Sequence, residues 1–575
     1  MTSDGKDSQP KLSYIHRPSN RIYDCSILPD HLEKWIKVNP DGDALVMYTH
    51  SGNRRRLTFR QYHIQSMKVA AGLLQLKLSR FDRALILVPN SCEFLVIQMA
   101  CARIGVFALF MKYGASPEEV SLMASKYKCA AIIVQTYEGK ESYGRSVVNA
   151  CQRMEPDRNV RLIVCVDFDG GPKTSQYRAL LGSDPQYLSE SDESAVRAAQ
   201  AQVQMEDPMV GTLTSGTTGE PKVVSANHFQ SILRAFCVGE RCLINTESRY
   251  LNERPFSWVG GLLLGVLPVS VVGITLVSMD PEISVKKADT QLVMKILQDE
   301  RCTHFLAMPY MMHDFIHCDV AHHFDLSNLK YAFTGGQPIM KEMVENFLKK
   351  HPQMQLLQGY GSSENTSVST QTRTTDTIND PGFGYLELAP DFEAKIVGED
   401  DRIVARGVMG ELWLRSAMHV TGYLDNPEAT ARAFTPLRWF KTGDMMVMDE
   451  QGHIRPVGRV ADSIKRATVL IQPAEIENVL VRHSKVSEVF VVGVPDERLY
   501  EELCACIKLN AGDTSEEADL QEIELWCGEI FLPGPDGLTL APRYFLSFKD
   551  FPKTTTGKLN RRELAAEATK ILGLN

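Results

Sequence analysis

Through the first three-quarters of this chain, short apolar runs alternate with stretches of helical pattern. Ala84 to Val88 reads as a strand, Cys92 to Ile104 as a helix, and Val106 to Met111 and Ala130 to Val134 as further strands. Ser116-Pro117-Glu118-Glu119 opens another helix, with serine as N-cap, proline in the first turn and glutamate closing a capping box. Later strands are expected at Phe305 to Met308, Tyr331 to Phe333 and Met354 to Leu357. Strand–helix–strand repetition implies parallel sheets covered by helices.

With 575 residues the chain is too long for one core and predicts at least two domains. Past about residue 385 the pattern changes. Glu393 to Val397 and Gly410 to Arg415 look like antiparallel strands of a small barrel or sheet. The last stretch has its own α+β pattern, with helices at Pro473 to His483 and from Asn560, and strands at Glu488 to Val494 and Leu503 to Leu509. A boundary near Gly458 to Asp462 divides an N-terminal body, residues 1–458, from a smaller C-terminal domain, residues 459–575.

The net charge of −9 argues against a dedicated nucleic-acid binder, which carries a basic face. The 13 cysteines are scattered without a CxxC pair, which speaks against a zinc ribbon and a disulfide framework and for a reducing compartment. Cys504 and Cys506 alternate in an apolar run, as core residues on one face of a strand do. The polar N-terminus lacks the look of a secretory or transit signal, and the C-terminal Gly-Leu-Asn is not a peroxisomal address, so a cytoplasmic location is expected. Phe256 to Met279 carries no charge and is long enough to span a bilayer, but Gly260-Gly261, Pro268, Ser270 and Gly273 interrupt it. A core helix followed by a central parallel strand is the expectation there.

Five short motifs carry chemistry. In Thr214-Ser215-Gly216-Thr217-Thr218-Gly219-Glu220-Pro221-Lys222, hydroxyls and glycines let backbone N–H groups approach a polyanion, and the lysine adds charge. It is not a Walker loop, and by composition alone a surface loop serves as well. Gly335-Gly336-Gln337 follows a strand and is either a simple turn or a backbone surface for a planar ligand. In Tyr360-Gly361-Ser362-Ser363-Glu364 the ring could stack on a base, Ser363 reach a phosphate and Glu364 hold Mg²⁺; read alone, it is also a helix N-cap with an acidic first turn. Asp444, in Lys441-Thr442-Gly443-Asp444, could accept both ribose hydroxyls or simply end a strand. Pro552-Lys553-Thr554-Thr555-Thr556-Gly557-Lys558 is a solvated basic turn or a glycine loop that carries Lys558 to a phosphate.

Taken in order over residues 212 to 562, these motifs resemble those of the acyl-adenylate-forming superfamily of acyl-CoA synthetases, adenylation domains and luciferases. Tyr423, Asn426-Pro427, Thr430 and Phe434 precede Asp444 as in that family. The resemblance implies an α/β fold: a large N-terminal body of helix-covered, mostly parallel sheets with a small barrel-like β subdomain, and a smaller mobile α+β lid. It implies ATP, Mg²⁺ and coenzyme A, with a carboxylate attacking the α-phosphate to give acyl-AMP and a thiol then displacing AMP. The phosphate-loop residues, Gly335, Gly336, Gln337, Tyr360, Gly361, Ser363, Asp444 and Arg459 would bind the nucleotide. Glu364 would hold the metal, Lys558 would serve adenylation, and Lys465 would serve thioester formation.

The acyl pocket would begin near Trp258, Gly260 and Gly261, where Trp258 stands in place of a frequent histidine. A large apolar ring there is either a tunnel wall for a medium-chain or other apolar acid, or a buried core residue. The chain departs from the family where Thr468 and Tyr500 replace usual glycines, Val223 follows Lys222, and Ala461 replaces a polar hinge. A β-branched residue at 468 restricts the backbone along the expected pantetheine path. Two alternatives stay open: an adenylating enzyme with a different thiol acceptor or none, and a nucleotide- or acyl-binding protein with degenerate catalysis.

Overall fold

A computed structural model of the chain describes residues 10–574 except 24, 50–51, 137–139, 154–159, 215–221, 281–282, 284–288, 319–322, 337–338, 340, 374–381, 467–468, 497–498, 511–514, 532–538 and 554–558. The chain divides into two compact units: residues 15–393 with 414–440, and residues 394–413 and 441–575 with the N-terminal 14.

The larger unit holds two sheets. The first runs in the order Lys222–Asn227, Pro208–Thr214, Phe107–Phe110, Arg83–Leu87, Ala131–Val134, Leu162–Cys165, Ser175–Gln176. All its neighbours pair parallel except Lys222–Asn227, which pairs antiparallel with Pro208–Thr214. Runs such as Phe-Ala-Leu-Phe and Ala-Ile-Ile-Val are buried along their whole length, as strands covered on both faces must be. The helix Cys92–Arg103, capped by Ser91, lies within this core, and the Ser116–Glu119 capping box forms at the start of Pro117–Lys126. The expected elements are therefore present, with ends shifted by a residue or two.

The second sheet has nine strands, in the order Glu387–Leu388, Thr366–Arg373, Gln355–Ser362, Tyr331–Gly335, His304–Leu306, Arg249–Leu251, Thr275–Met279, Asp43–Tyr48, Arg54–Thr58. From Gln355–Ser362 through Asp43–Tyr48 the neighbours are parallel. The uncharged stretch resolves as expected, into a buried helix and then the strand Thr275–Met279 inside the sheet. One feature is new: the helix passes through a π-helical turn, Leu262–Val266, between Val259–Gly261 and Leu267–Val271. No helix among the described residues is long and apolar enough to cross a membrane.

The other unit carries the strands Phe440–Met448 and Ile454–Arg459, paired antiparallel within a five-stranded sheet. Its α+β part pairs Val486–Asp496 with Tyr500–Leu509, with Ile464–Arg466 and Tyr544–Ser547 as further neighbours of the latter. Leu503, Ala505 and Ile507 pack on one side with Ile476 and Ile523. Cys504 and Cys506 pack on the other with Leu564 and Ala568, the single-face core position expected of them.

Candidate active site

Two residues of the phosphate-loop motif lie on paired antiparallel strands. Thr214 ends one strand and Lys222 begins the next, directly opposite, and the Thr214 hydroxyl donates to the Lys222 carbonyl at 3.3 Å. Ser215, Gly216, Thr217, Thr218 and Gly219 lie outside the described residues. Val223 is fully buried in strand pairing with Leu213, a core role that leaves no need for the family's glycine. The Lys222 ammonium rests 5.1 Å from the centre of the Tyr423 ring.

Tyr423 is held against those strands. It bridges Val224 antiparallel, and Leu424 donates its N–H to the Val223 carbonyl at 2.9 Å. Its own N–H donates to the Thr430 hydroxyl at 2.9 Å, on the helix Pro427–Ala433 whose N-cap is Asn426. The marks Tyr423, Asn426-Pro427 and Thr430 are thus one local structure. The Tyr423 hydroxyl donates to Glu364 Oε1 at 2.8 Å, while Ser362 Oγ donates to Oε2 at 2.9 Å. Burial and the adjacent Glu364 carboxylate push the Tyr423 hydroxyl well above the ordinary tyrosine range, so it stays a donor.

Glu364 does not open a helix. Tyr360 and Gly361 lie inside the strand Gln355–Ser362, which folds back on Thr366–Arg373 as an antiparallel hairpin with an irregularity between them. Ser363 and Glu364 form its turn. The strand extends past the expected end at Leu357 because it pairs on both sides, with Tyr331–Gly335 and with Thr366–Arg373. Behind the turn stands Arg234, fully buried on the helix His228–Arg241. Its Nη2 donates to the Glu364 carbonyl at 2.7 Å, Nη1 to the Ser363 carbonyl at 3.4 Å and Nε to the Met418 carbonyl at 2.8 Å. Burial pulls its pKa down to about 10, so it remains charged at neutral pH.

Mg²⁺ takes one or two protein carboxylates and completes its shell from phosphates and water. Glu364 is half-buried, and each oxygen accepts one described hydroxyl bond, leaving lone pairs for a cation. The group fits. No cluster of three His, Cys, Asp or Glu suited to a metal occurs among the described residues.

Gly335 faces Gly359 across the parallel pair, and a Cβ on it would stand 2.5 Å from the Gly359 carbonyl oxygen. Gly336 follows at φ +79°, a left-handed turn that favours glycine. Gln337 is outside the described residues. Together these glycines bring the turn beside Tyr360 at the carboxyl end of parallel strands, where α/β sheets bind ligands.

Trp258 is half-buried at the start of the helix that enters the π turn, so it is not a buried core residue. A Cβ on Gly261 would meet the Pro255 carbonyl oxygen at 2.2 Å, so close packing requires that glycine. Gly260 has room, its nearest neighbour being Arg254 Cγ at 3.6 Å.

In the other unit Asp444 and Arg459 stand opposite each other in strand register, with Arg459 Nε 2.6 Å from Asp444 Oδ1. Gly443 turns the chain at φ +71° and donates its N–H to Glu411 at 2.9 Å, while Thr442 Oγ1 donates to the Leu412 carbonyl at 2.8 Å. Lys465 is exposed on the strand Ile464–Arg466, and Ala461 is exposed in a 3-10 turn. Lys558 and Thr468 lie outside the described residues.

A family model described as AMP-binding enzyme matches residues 32–424, and its C-terminal domain model matches 475–558. The chain belongs to the AMP-binding enzyme family. It is therefore an enzyme of the AMP-forming, adenylate-forming ligase class. This AMP-binding enzyme is 29% identical to "Medium-chain acyl-CoA ligase ACSF2, mitochondrial" of Danio rerio, over 99% of the chain and 93% of that protein. It is 28% identical to "Putative acyl-CoA synthetase YngI" of Bacillus subtilis, over 95% of the chain and 97% of that protein. Its fold matches the crystal structure of the anthranilate CoA ligase AuaEII in complex with anthranoyl-AMP, with a TM-score of 0.77 at 22% identity, over 96% of the chain and 98% of that one.

Two groups of this AMP-binding enzyme's candidate site were not singled out by sequence reasoning as site residues. Tyr423 entered only as a family mark, and Arg234 not at all. The one signal for Arg234 is a charge within a helix that is otherwise buried on most sides.

Proposed function

We propose that the enzyme activates an apolar carboxylic acid of medium chain length as its acyl-adenylate and passes the acyl group to coenzyme A. The observation that carries this reading is the arrangement of Lys222, Tyr423 and Glu364, in which a cation from the phosphate-loop motif and a carboxylate on the facing turn meet at one tyrosine. Names of full-length relatives, medium-chain acyl-CoA ligase among them, support the acid class and the thiol.

In this reading Lys222 and the loop from Thr214 to Gly219 take the β- and γ-phosphates, whose negative charge a half-buried ammonium offsets. Tyr360 offers its ring to the adenine, with Gly335, Gly336 and Gln337 along the edge of the base and Gly361 and Ser363 on the phosphate side. Asp444 accepts from the ribose hydroxyls, and Arg459 lies beside it. Mg²⁺, held through Glu364, supplies charge neutralisation at the phosphates when bound. Lys558 stabilises charge on the α-phosphate as the carboxylate adds. Lys465, with the C-terminal part from residue 459, serves the thiol step. Trp258, Gly260 and Gly261 line the acid's path, and a half-buried indole beside a glycine with free space suits an apolar chain.

ATP–pyrophosphate exchange across a panel of carboxylic acids, with and without coenzyme A, tests the proposal. Exchange with an apolar acid of medium length, and acyl-CoA once coenzyme A is added, is the expected result. Exchange without acyl-CoA would move the reading to a different acceptor, and no exchange with any acid would overturn it.

A further inference from the structure

Tyr423 touches two functional groups at once. Its ring face lies under the Lys222 ammonium at 5.1 Å, and its hydroxyl donates to Glu364 Oε1 at 2.8 Å. Both contacts come from one half-buried side chain whose backbone is fixed by the bridge to Val224 and the bond to Thr430. Glu364, for its part, has little freedom to move away. Its carbonyl accepts from buried Arg234 at 2.7 Å and from the Val420 N–H at 3.1 Å. Its second carboxylate oxygen accepts from Ser362 at 2.9 Å, and Ser362 N–H is itself tied to Asn365 at 2.8 Å.

A carboxylate at a hairpin turn would ordinarily sample several rotamers. With one oxygen held by a phenol and the other by a serine hydroxyl, its plane is fixed and the remaining lone pairs point in set directions. The same phenol ring, through its negative face, favours a cation above it, so the lysine is held by the side chain that also holds the carboxylate, without an ion pair between the two. An ion pair would consume both charges that the substrate needs. Among the described residues, the Lys222 ammonium makes no ion pair with Glu364.

We propose that Tyr423 is a positioning residue that sets the Glu364 carboxylate for the metal with its hydroxyl and seats Lys222 for phosphate with its ring. This rests on the reading of Glu364 and Lys222 given above, and it assigns to one side chain two separable effects. The hydroxyl serves metal affinity; the ring serves nucleotide affinity independent of metal.

Two variants of the full chain separate them. Tyr423→Phe keeps the ring and removes the hydroxyl; Tyr423→Leu removes both. Mn²⁺ in the presence of ATP, followed by electron paramagnetic resonance, reads the metal, and calorimetry of ATP in EDTA reads the nucleotide alone. Tyr423→Phe is expected to bind Mn²⁺ about tenfold more weakly, the loss of one hydrogen bond to a charged group, with metal-free ATP binding unchanged. Tyr423→Leu is expected to weaken metal-free ATP binding as well, by about two- to fivefold for a lost cation–π contact. Should Tyr423→Leu fail to fold, the Phe variant alone decides the hydroxyl's role. An unchanged Mn²⁺ affinity in a folded Tyr423→Phe, while the parent binds Mn²⁺ with ATP and exchanges pyrophosphate, would overturn this inference alone. Absence of Mn²⁺ binding in the parent would overturn the underlying reading of Glu364 together with it.

Discussion

Arg459 and Asp444 face each other across an antiparallel strand pair, Nε to Oδ1 at 2.6 Å, with the aspartate nearly buried and the arginine half exposed. The Arg459 guanidinium holds the carboxylate in one orientation. In the proposed reading this is the carboxylate that accepts from the ribose hydroxyls, and the arginine orients it.

Because the arginine is half exposed, the ion pair itself adds little stability, about 0–1 kcal/mol. Arg459→Ala should therefore leave the melting temperature within a few degrees of the parent and lower pyrophosphate exchange by roughly tenfold or more. Asp444→Ala should raise the KM for ATP further. A stability loss as large as the activity loss, read by thermal melts alongside exchange, would assign the pair a structural role instead.

Tyr500 stands where the family resemblance leads glycine to be expected, and its backbone sits at φ +75° with the residue 72% exposed. The left-handed region costs a side-chain-bearing residue roughly 1–2 kcal/mol, against about 0.4–1 kcal/mol of extra unfolded-state entropy for glycine. Tyr500→Gly should thus stabilise the protein by about 0.5–1 kcal/mol, read as a higher urea midpoint with an unchanged slope. A lowered midpoint would mean the tyrosine makes a compensating contact.

Burial depresses five histidines of the larger unit: His228, His304 and His351 to about 4 and His63 and His419 to about 3, from 6.5. Between those values and 6.5 the unfolded chain binds more protons, so stability rises with pH in that window. It is complete above about pH 6.5 and lost on acidification toward 4, at about 2 kcal/mol per histidine by pH 5. Melting temperatures should fall steeply from pH 7 to 5. Both ring nitrogens of His419 are buried without a hydrogen-bond partner among the described residues, so His419→Leu should flatten that slope. An unchanged slope would place the proton uptake elsewhere.

The two acyl-region glycines should respond oppositely to a side chain. Gly261→Ala forces a Cβ to 2.2 Å from the Pro255 carbonyl and should destabilise by about 1–3 kcal/mol. Gly260→Val has space and should fold normally while shifting preference toward shorter acids in the exchange panel. An unaltered preference would remove Gly260 from the acid's path.

Much of the body was legible because buried parallel strands must be apolar throughout, as Phe107–Phe110 and Ala131–Val134 are. The hairpin that carries Glu364 was not. Tyr, Gly and Ser have the look of a loop, and what extends that strand is pairing with Thr366–Arg373, a tertiary fact. Arg234 was hidden for a different reason. Its helix is amphipathic in sequence, with Arg234 on the polar stripe beside Gln230 and Arg241, so the charge reads as solvent-facing and only tertiary packing buries it. The Asp444–Arg459 pairing depends on strand register, which motif spacing does not reveal. The π turn at Leu262–Val266 leaves no mark in an all-apolar run.

Glu364 rides on a β-hairpin turn rather than at a helix start, and Lys222 opens a strand, not a helix. Aligned peptide dipoles, which give many nucleotide sites a diffuse and undeletable positive field, are thus missing from these two positions. In the proposed reading, what these two positions contribute to holding a polyanion comes in discrete parcels, one side chain at a time. Such a field is tuned by single substitutions and screened charge by charge as ionic strength rises.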